Sequence, residues 1–291
     1  MKFLFFLIIS LALPSVLNNS SFVAYNFKEP TTKEVLPGIL HEISGLTIID
    51  STTIACIQDE NGILFFYDLK SHQIKRQIAF AMNGDYEGIT RVGNTLYILR
   101  SDGVLFEVIN FTSDNFSVQN YFTEIPAVNN EGLCFDAQNN RLLIGSKGKI
   151  NKDPFYKDKR FIYAFDLKTK SLNKKAVFQF NINDINLSAK MNGITFEKRK
   201  DKKGNLLEIG YKVNTSEIAF HPITKQLYVL SATDHCLFIF NLNNKLEEII
   251  PLNPILFNKP EGLSFFANGD LIISNEGQAQ QPTLLRFNYQ Q

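Results

Sequence analysis

No charge of either sign prevails in this chain, where 30 Lys and Arg face 29 Asp and Glu. A near-neutral protein has no global field with which to gather nucleic acid or an anionic bilayer, so any electrostatic function has to be local. Cysteine is scarce. Cys56, Cys134 and Cys236 are odd in number, widely spaced and each set in an apolar stretch, which argues against a disulfide framework and reads as three small buried hydrophobes. There is no Cys-x-x-Cys, no Cys/His spacing suited to zinc, no glycine-rich phosphate loop, no Gly-x-Ser-x-Gly elbow and no His-Glu-x-x-His. The four histidines, His41, His72, His221 and His235, have no paired spacing. Nothing of this kind defines a nucleophile. Residues 3–13, preceded by Lys2, form an apolar run of signal-peptide length that falls short of a membrane span. Residues 1–20 are therefore expected to be a signal peptide or N-terminal anchor, with the protein exported to the periplasm or secreted and touching membrane only through that segment.

What the chain does have is apolar and aromatic bulk: 44% hydrophobic residues, with 26 Phe and 10 Tyr, enough for a sizeable core. That bulk is periodic. Glu42-Ile43-Ser44-Gly45-Leu46, Glu87-Gly88-Ile89-Thr90, Glu131-Gly132-Leu133-Cys134-Phe135, Glu217-Ile218-Ala219-Phe220 and Glu261-Gly262-Leu263-Ser264-Phe265 recur about every 44 residues, with one gap of double length. After each Glu come a short apolar strand, a polar turn and an aromatic strand, and three of the aromatic strands close alike at Tyr67-Asp68-Leu69, Phe165-Asp166-Leu167 and Phe240-Asn241-Leu242. A more polar fourth strand ends the first four units. Four strands in about 44 residues make a propeller blade. The expected fold is all-β: one propeller over residues 21–291 with five four-stranded blades, a sixth degenerate blade being the alternative. The last unit has only three strands, and a strand-like stretch within residues 23–35 is expected to complete it, which closes the ring and removes two open sheet edges. The double gap is read as an insertion, with a β-hairpin around residues 190–214 whose charged tip is a solvated turn.

In a propeller the innermost strands start on the face that also carries the loops between second and third strands. All five repeated glutamates, Glu42, Glu87, Glu131, Glu217 and Glu261, are thus expected at equivalent positions around one mouth of the channel. Asp59, Arg100, Asp102, Lys147, Asp234, Lys259 and Glu276 are expected beside them as ligand-contacting residues. Carboxylates crowded into a partly desolvated channel must protonate, pair with bases or bind a cation. Calcium suits oxygen ligands arriving loosely from several blades, whereas zinc would want His or Cys. The competing reading is that the glutamates accept backbone N–H bonds and fasten blade to blade.

The motifs Glu42-Ile43-Ser44-Gly45-Leu46, Asp85-Tyr86-Glu87-Gly88-Ile89, Asn130-Glu131-Gly132-Leu133 and Pro260-Glu261-Gly262-Leu263 give the chain a resemblance to the SdiA-regulated (YjiK-like) family of bacterial exported proteins. The resemblance spans nearly the whole chain after the leader. It implies a five-bladed propeller behind an N-terminal signal or anchor, with a calcium site and no established activity. Glu217, in Thr215-Ser216-Glu217-Ile218, departs from the Glu-Gly pattern. Two functions follow as expectations. One is a non-enzymatic, monomeric calcium-binding module that presents its mouth to a small-molecule ligand or cell-envelope protein. The other is a metal-dependent hydrolase, phytase-like or lactonase-like, acting at the same mouth.

Overall fold

The computed structural model describes residues 24–150 and 152–290, so the expected leader, residues 1–20, lies outside them. The described residues form a five-bladed β-propeller of four-stranded antiparallel blades. Blade one comprises Ile43–Ile48, Thr53–Gln58, Ile63–Asp68 and Gln73–Ala79, and blade two comprises Tyr86–Val92, Thr95–Arg100, Val104–Ile109 and Ser117–Phe122. Blade three has Asn130–Asp136, Arg141–Ser146 and Lys159–Asp166, with a fourth strand in two pieces, Ser171–Leu172 and Phe178–Asn181, both paired to the third. Blade four is Glu217–Phe220, Leu227–Ser231, Cys236–Phe240 and Leu246–Pro251. Blade five is Pro260–Phe265, Leu271–Asn275 and Thr283–Phe287, completed by the N-terminal strand Thr32–Val35 in the register Thr32↔Arg286 to Val35↔Thr283. Ring closure by the N-terminal strand thus holds as expected.

The closing seam is pinned at the face away from the mouth. Tyr25 donates its hydroxyl to the Gly269 carbonyl (2.6 Å), and His221 Nε2 lies 2.7 Å from that hydroxyl. Since the Tyr25 proton is spent on Gly269, His221 must donate through Nε2, which leaves Nδ1 to accept from the Ile223 and Thr224 amides. Burial holds this imidazole neutral, its pKa lowered to about 4.

Alternate residues of each strand face the two neighbouring blades, so the core is divided into clusters between blades. Leu64, Ile57, Ile98 and Phe106 join blades one and two; Leu99, Leu105, Ile144 and Tyr163 join blades two and three. Cys134, Ile162, Val229 and Phe238 lie between blades three and four, Leu230, Leu237, Ile273 and Leu285 between four and five, and Cys56, Phe65, Ile272 and Leu284 between five and one. All three cysteines are buried and free, as small hydrophobes. The repeated Asp or Asn after the third strand has a local cause. Asp68, Asp166 and Asn241 each accept two downstream backbone amides through Oδ1, which shapes the turn into the fourth strand.

The double gap is an insertion, and it contains more than a hairpin. A helix, Ile182–Met191, follows blade three, with the Asn181 side chain accepting from the Asn183 amide as its N-cap. The hairpin is short, Lys198–Lys200 against Leu206–Glu208. Among the described residues no helix is long and apolar enough to cross a membrane.

Candidate functional site

The inner strands of the five blades pack side by side around the channel, and their glycines set how closely. A Cβ on Gly88 would stand 2.7 Å from the Glu131 carbonyl of blade three, and one on Gly262 would stand 2.7 Å from the Ser44 carbonyl of blade one. The Glu-Gly pair is therefore half packing device: Gly admits the neighbouring backbone while Glu sits beside it.

The Glu itself is placed by a bulge. In blade two Tyr86 pairs with Arg100 and Gly88 with Leu99, leaving Glu87 as the extra residue. Glu131 and Glu261 are the extra residues in blades three and five by the same register shift. Blade one corrects the expected equivalence of all five glutamates. There Ile43 pairs with Gln58 and Leu46 with Cys56, and Gly45 approaches blade two as Gly88 approaches blade three, so the Glu position is filled by Ser44. Glu42 lies two residues earlier, on the rim. In blade four the inner strand begins at Glu217, which pairs with Leu230 in the register that the glycines hold elsewhere, and the Ser216 amide donates to the same Leu230 carbonyl, so Ser216 is the extra residue there. Ser216 takes the ring position. The two serines do the same work: Ser44 donates to Glu87 of the next blade, at its carbonyl (2.8 Å) and its Oε2 (3.3 Å), and Ser216 hydrogen-bonds Glu261. The ring thus runs Ser44, Glu87, Glu131, Ser216, Glu261.

Lys147 forms an ion pair with Oε1 of Glu131 and also acts on Glu261 and Glu87. Glu131 Oε2 has no hydrogen-bond partner among the described residues, although the residue is only 1% exposed. Burial first, then the Glu87 charge, push the Glu131 carboxyl up to about 9, against the pull of Lys147. Burial and Asp85 push Glu87 up to about 7. Glu261 is raised by burial, with Lys259 and Lys147 opposing. Lys147 and Lys259 are themselves raised by these carboxylates, so both stay charged at neutral pH.

On the rim, Lys259 bridges Glu276 and Glu261, at 3.6 Å from the latter. Glu276 hydrogen-bonds Glu42, which lies 2.7 Å from His41 Nδ1. This chain of contacts pushes the two carboxyls apart: Glu42 is lowered by its bonds to Glu276 and His41, while burial and the Glu42 partner push Glu276 up to about 7. Asp59 is pushed up to about 6 by burial and by Glu42 and Glu60.

Four expected site residues do other work. Asp234 accepts from the Lys212 and Val213 amides (2.9 and 2.7 Å) and ties the insertion to blade four, helped by Arg160 on the Val213 and Lys212 carbonyls. Arg100 and Asp102 pair with each other (2.8 Å) in the same loop, and no bond joins them to the glutamates among the described residues. Glu217, 1% exposed, turns its Oε1 to the amides of Leu133 in blade three (2.7 Å) and Ile218 (2.9 Å). It is a blade fastener. His41, Ser44, Asp85 and Ser216 belong to the mouth and were not singled out from sequence as site residues. Asp85, Ser44 and Ser216 all fall within the motifs around the repeated glutamates, where Glu alone drew the assignment. Among the described residues no group of three or more His, Cys, Asp or Glu is disposed to hold a metal ion as the side chains stand.

No protein-family model matches the chain, and no curated protein does. Solved structures similar to it include a glutaminyl cyclase from Myxococcus xanthus, with TM-score 0.56 and 13% identity over 89% of this chain and 95% of that one. A PQQ-bound aldose sugar dehydrogenase from Streptomyces coelicolor aligns with TM-score 0.53 and 11% identity over 90% of this chain and 100% of that one. At such identities the likeness is one of fold, and the functions it spans are unrelated.

Proposed function

We propose that the chain is an exported, non-enzymatic β-propeller whose channel mouth takes up a calcium ion and offers a face to a small-molecule ligand or cell-envelope protein. The observation that supports the cation is Glu131: a carboxyl 1% exposed, with one oxygen lacking any hydrogen-bond donor among the described residues and its proton held by burial and neighbouring charge. A buried carboxylate of this kind is costly until a proton or a cation meets it. Glu87, Glu131 and Glu261 would hold the ion, and calcium tolerates the loose oxygen geometry of ligands arriving from separate blades. Lys147 now lies against Glu131 and Lys259 against Glu261 and Glu276, so uptake requires these flexible ammonium stems to swing outward. The rim groups Glu42, Asp59 and Glu276 would then meet the ligand.

The test is thermal melting with calcium and with chelator, for wild type and Glu131→Gln. A calcium-dependent rise in melting temperature that the variant loses supports the ion at Glu131, and an unchanged melt in both conditions removes it. One observation favours a second reading. The Glu42–Glu276 pair, with its two protonation equilibria pushed apart, is the kind of arrangement an acid–base catalyst uses, which suits a metal-dependent hydrolase at the same mouth. Absence of hydrolysis of phosphoesters and lactones by the calcium-loaded protein would eliminate it.

A further inference from the structure

We propose that the insertion between blades three and four is a docking hairpin that seats on an anionic phospholipid surface, a role separate from the channel mouth. The hairpin is anomalous for a folded protein. Its two strands, Lys198–Lys200 and Leu206–Glu208, are exposed throughout, and none of their residues belongs to a core cluster. An isolated two-stranded hairpin with neither face covered is marginal in water. Yet Leu206 is 64% exposed and Leu207 52%, and the same insertion also exposes Ile209, Leu187 and Met191. Lys190 on the helix pairs with Glu208 on the hairpin, which links the two parts of this surface.

Charge identifies what would cover these side chains. Register places Arg199 opposite Leu207 and Lys200 opposite Leu206, so both faces of the hairpin set an aliphatic group beside a cation. The tip adds Lys202 and Lys203, and Asp201 is taken up in shaping it, accepting from the Lys203 and Asn205 amides and the Asn205 side chain. Lys200, Lys202 and Lys203 make no ion pair among the described residues. Aliphatic groups that enter the acyl boundary, with long cationic stems reaching up to phosphates, match the chemistry of an anionic bilayer interface. A soluble acidic partner would leave the aliphatic side chains unexplained, and a second copy of this hairpin would set one basic tip against another. The insertion is anchored well enough to transmit docking, because Arg160, Asp234 and Asn186 bind its return segment over residues 211–214.

The experiment is co-sedimentation of the full chain with vesicles of phosphatidylcholine alone and of phosphatidylcholine mixed with phosphatidylglycerol. Wild type is compared with Lys202→Glu/Lys203→Glu and with Leu206→Ser/Leu207→Ser. All three proteins share the apolar run at residues 3–13, so differences among them report the hairpin. Wild type should partition preferentially to the mixed vesicles, less so as salt rises. Each double variant should lose about tenfold or more of that partitioning, with melting temperature unchanged. Equal partitioning of all three proteins overturns the proposal. So does loss confined to the lysine variant with equal binding to soluble polyglutamate, which indicates an acidic protein partner. Leucine-dependent self-association without vesicle binding overturns it as well and indicates a second copy.

Discussion

Glu131 and Glu217 begin neighbouring blades, and each is 1% exposed, yet their surroundings differ in the one respect that decides what a buried carboxyl does. Glu217 receives two backbone amides, one from its own strand and one from blade three. Glu131 receives none. Both leave Oε2 without a partner among the described residues and both are raised by burial and by like-charged glutamates, but Glu131 has one lysine where Glu217 has the amides. Burial alone therefore does not mark a fastener, and repetition of a residue type does not make its copies equivalent. Glu131 is the extra residue of its bulge and reaches Lys147 at the mouth, whereas Glu217 holds the register that Gly132 holds in blade three and turns its side chain into the seam between blades.

Substitution at these two positions should break the symmetry of the sequence motif outright. Glu217→Ala leaves two buried N–H groups without acceptors and should cost roughly 2–4 kcal/mol by denaturant melting. Glu217→Gln keeps an acceptor oxygen in place and should recover most of that loss. At Glu131 the order reverses: Glu131→Gln removes a proton-holding, under-partnered carboxyl and should leave the chelated protein as stable as wild type or more so, while abolishing its response to calcium.

A smaller effect should appear in pH dependence. The native chain holds protons on Glu87 and Glu131 that the unfolded chain releases near 4.5, since their native values are about 7 and about 9. Protons bound by the native state exceed those bound by the unfolded state across that window, so stability measured in chelator should fall as pH rises from about 4.5 to 9. Calcium should flatten the fall by replacing the protons, and Glu131→Gln should remove that residue's share of the fall above pH 7, leaving the share of Glu217, which burial also raises well above the ordinary carboxyl range. A rise in stability across the window would contradict the assignment. The smallest effect concerns the rim: Glu42→Gln should lower the titration midpoint of Glu276 in a carboxyl NMR titration, with little change in melting, because Glu42 both bonds and repels that group.

Blade number, strand order and the borrowed N-terminal strand were legible because each blade repeats a period-2 apolar pattern bounded by turn residues, and an unfinished fifth unit demands a partner. The ring of glutamates was only partly legible. A search keyed to Glu finds Glu42 and Glu217, but the position is defined by a bulge, and no letter in the sequence marks which residue bulges. Ser44 and Ser216 were missed for that reason. Asp234 was placed in the right loop, but the return of the insertion, which it binds, has no homologous counterpart in the other units. Helix Ile182–Met191 was hidden because its apolar face is narrow, burying only Ile182, Ile185 and Ala189.

The most direct test of the account is calcium titration followed by thermal melting of wild type, Glu131→Gln and Glu217→Gln side by side. Calcium should raise the melting temperature of wild type and Glu217→Gln alike and leave Glu131→Gln unmoved. Equal calcium responses in Glu131→Gln and wild type, or no response in any of the three, would contradict it.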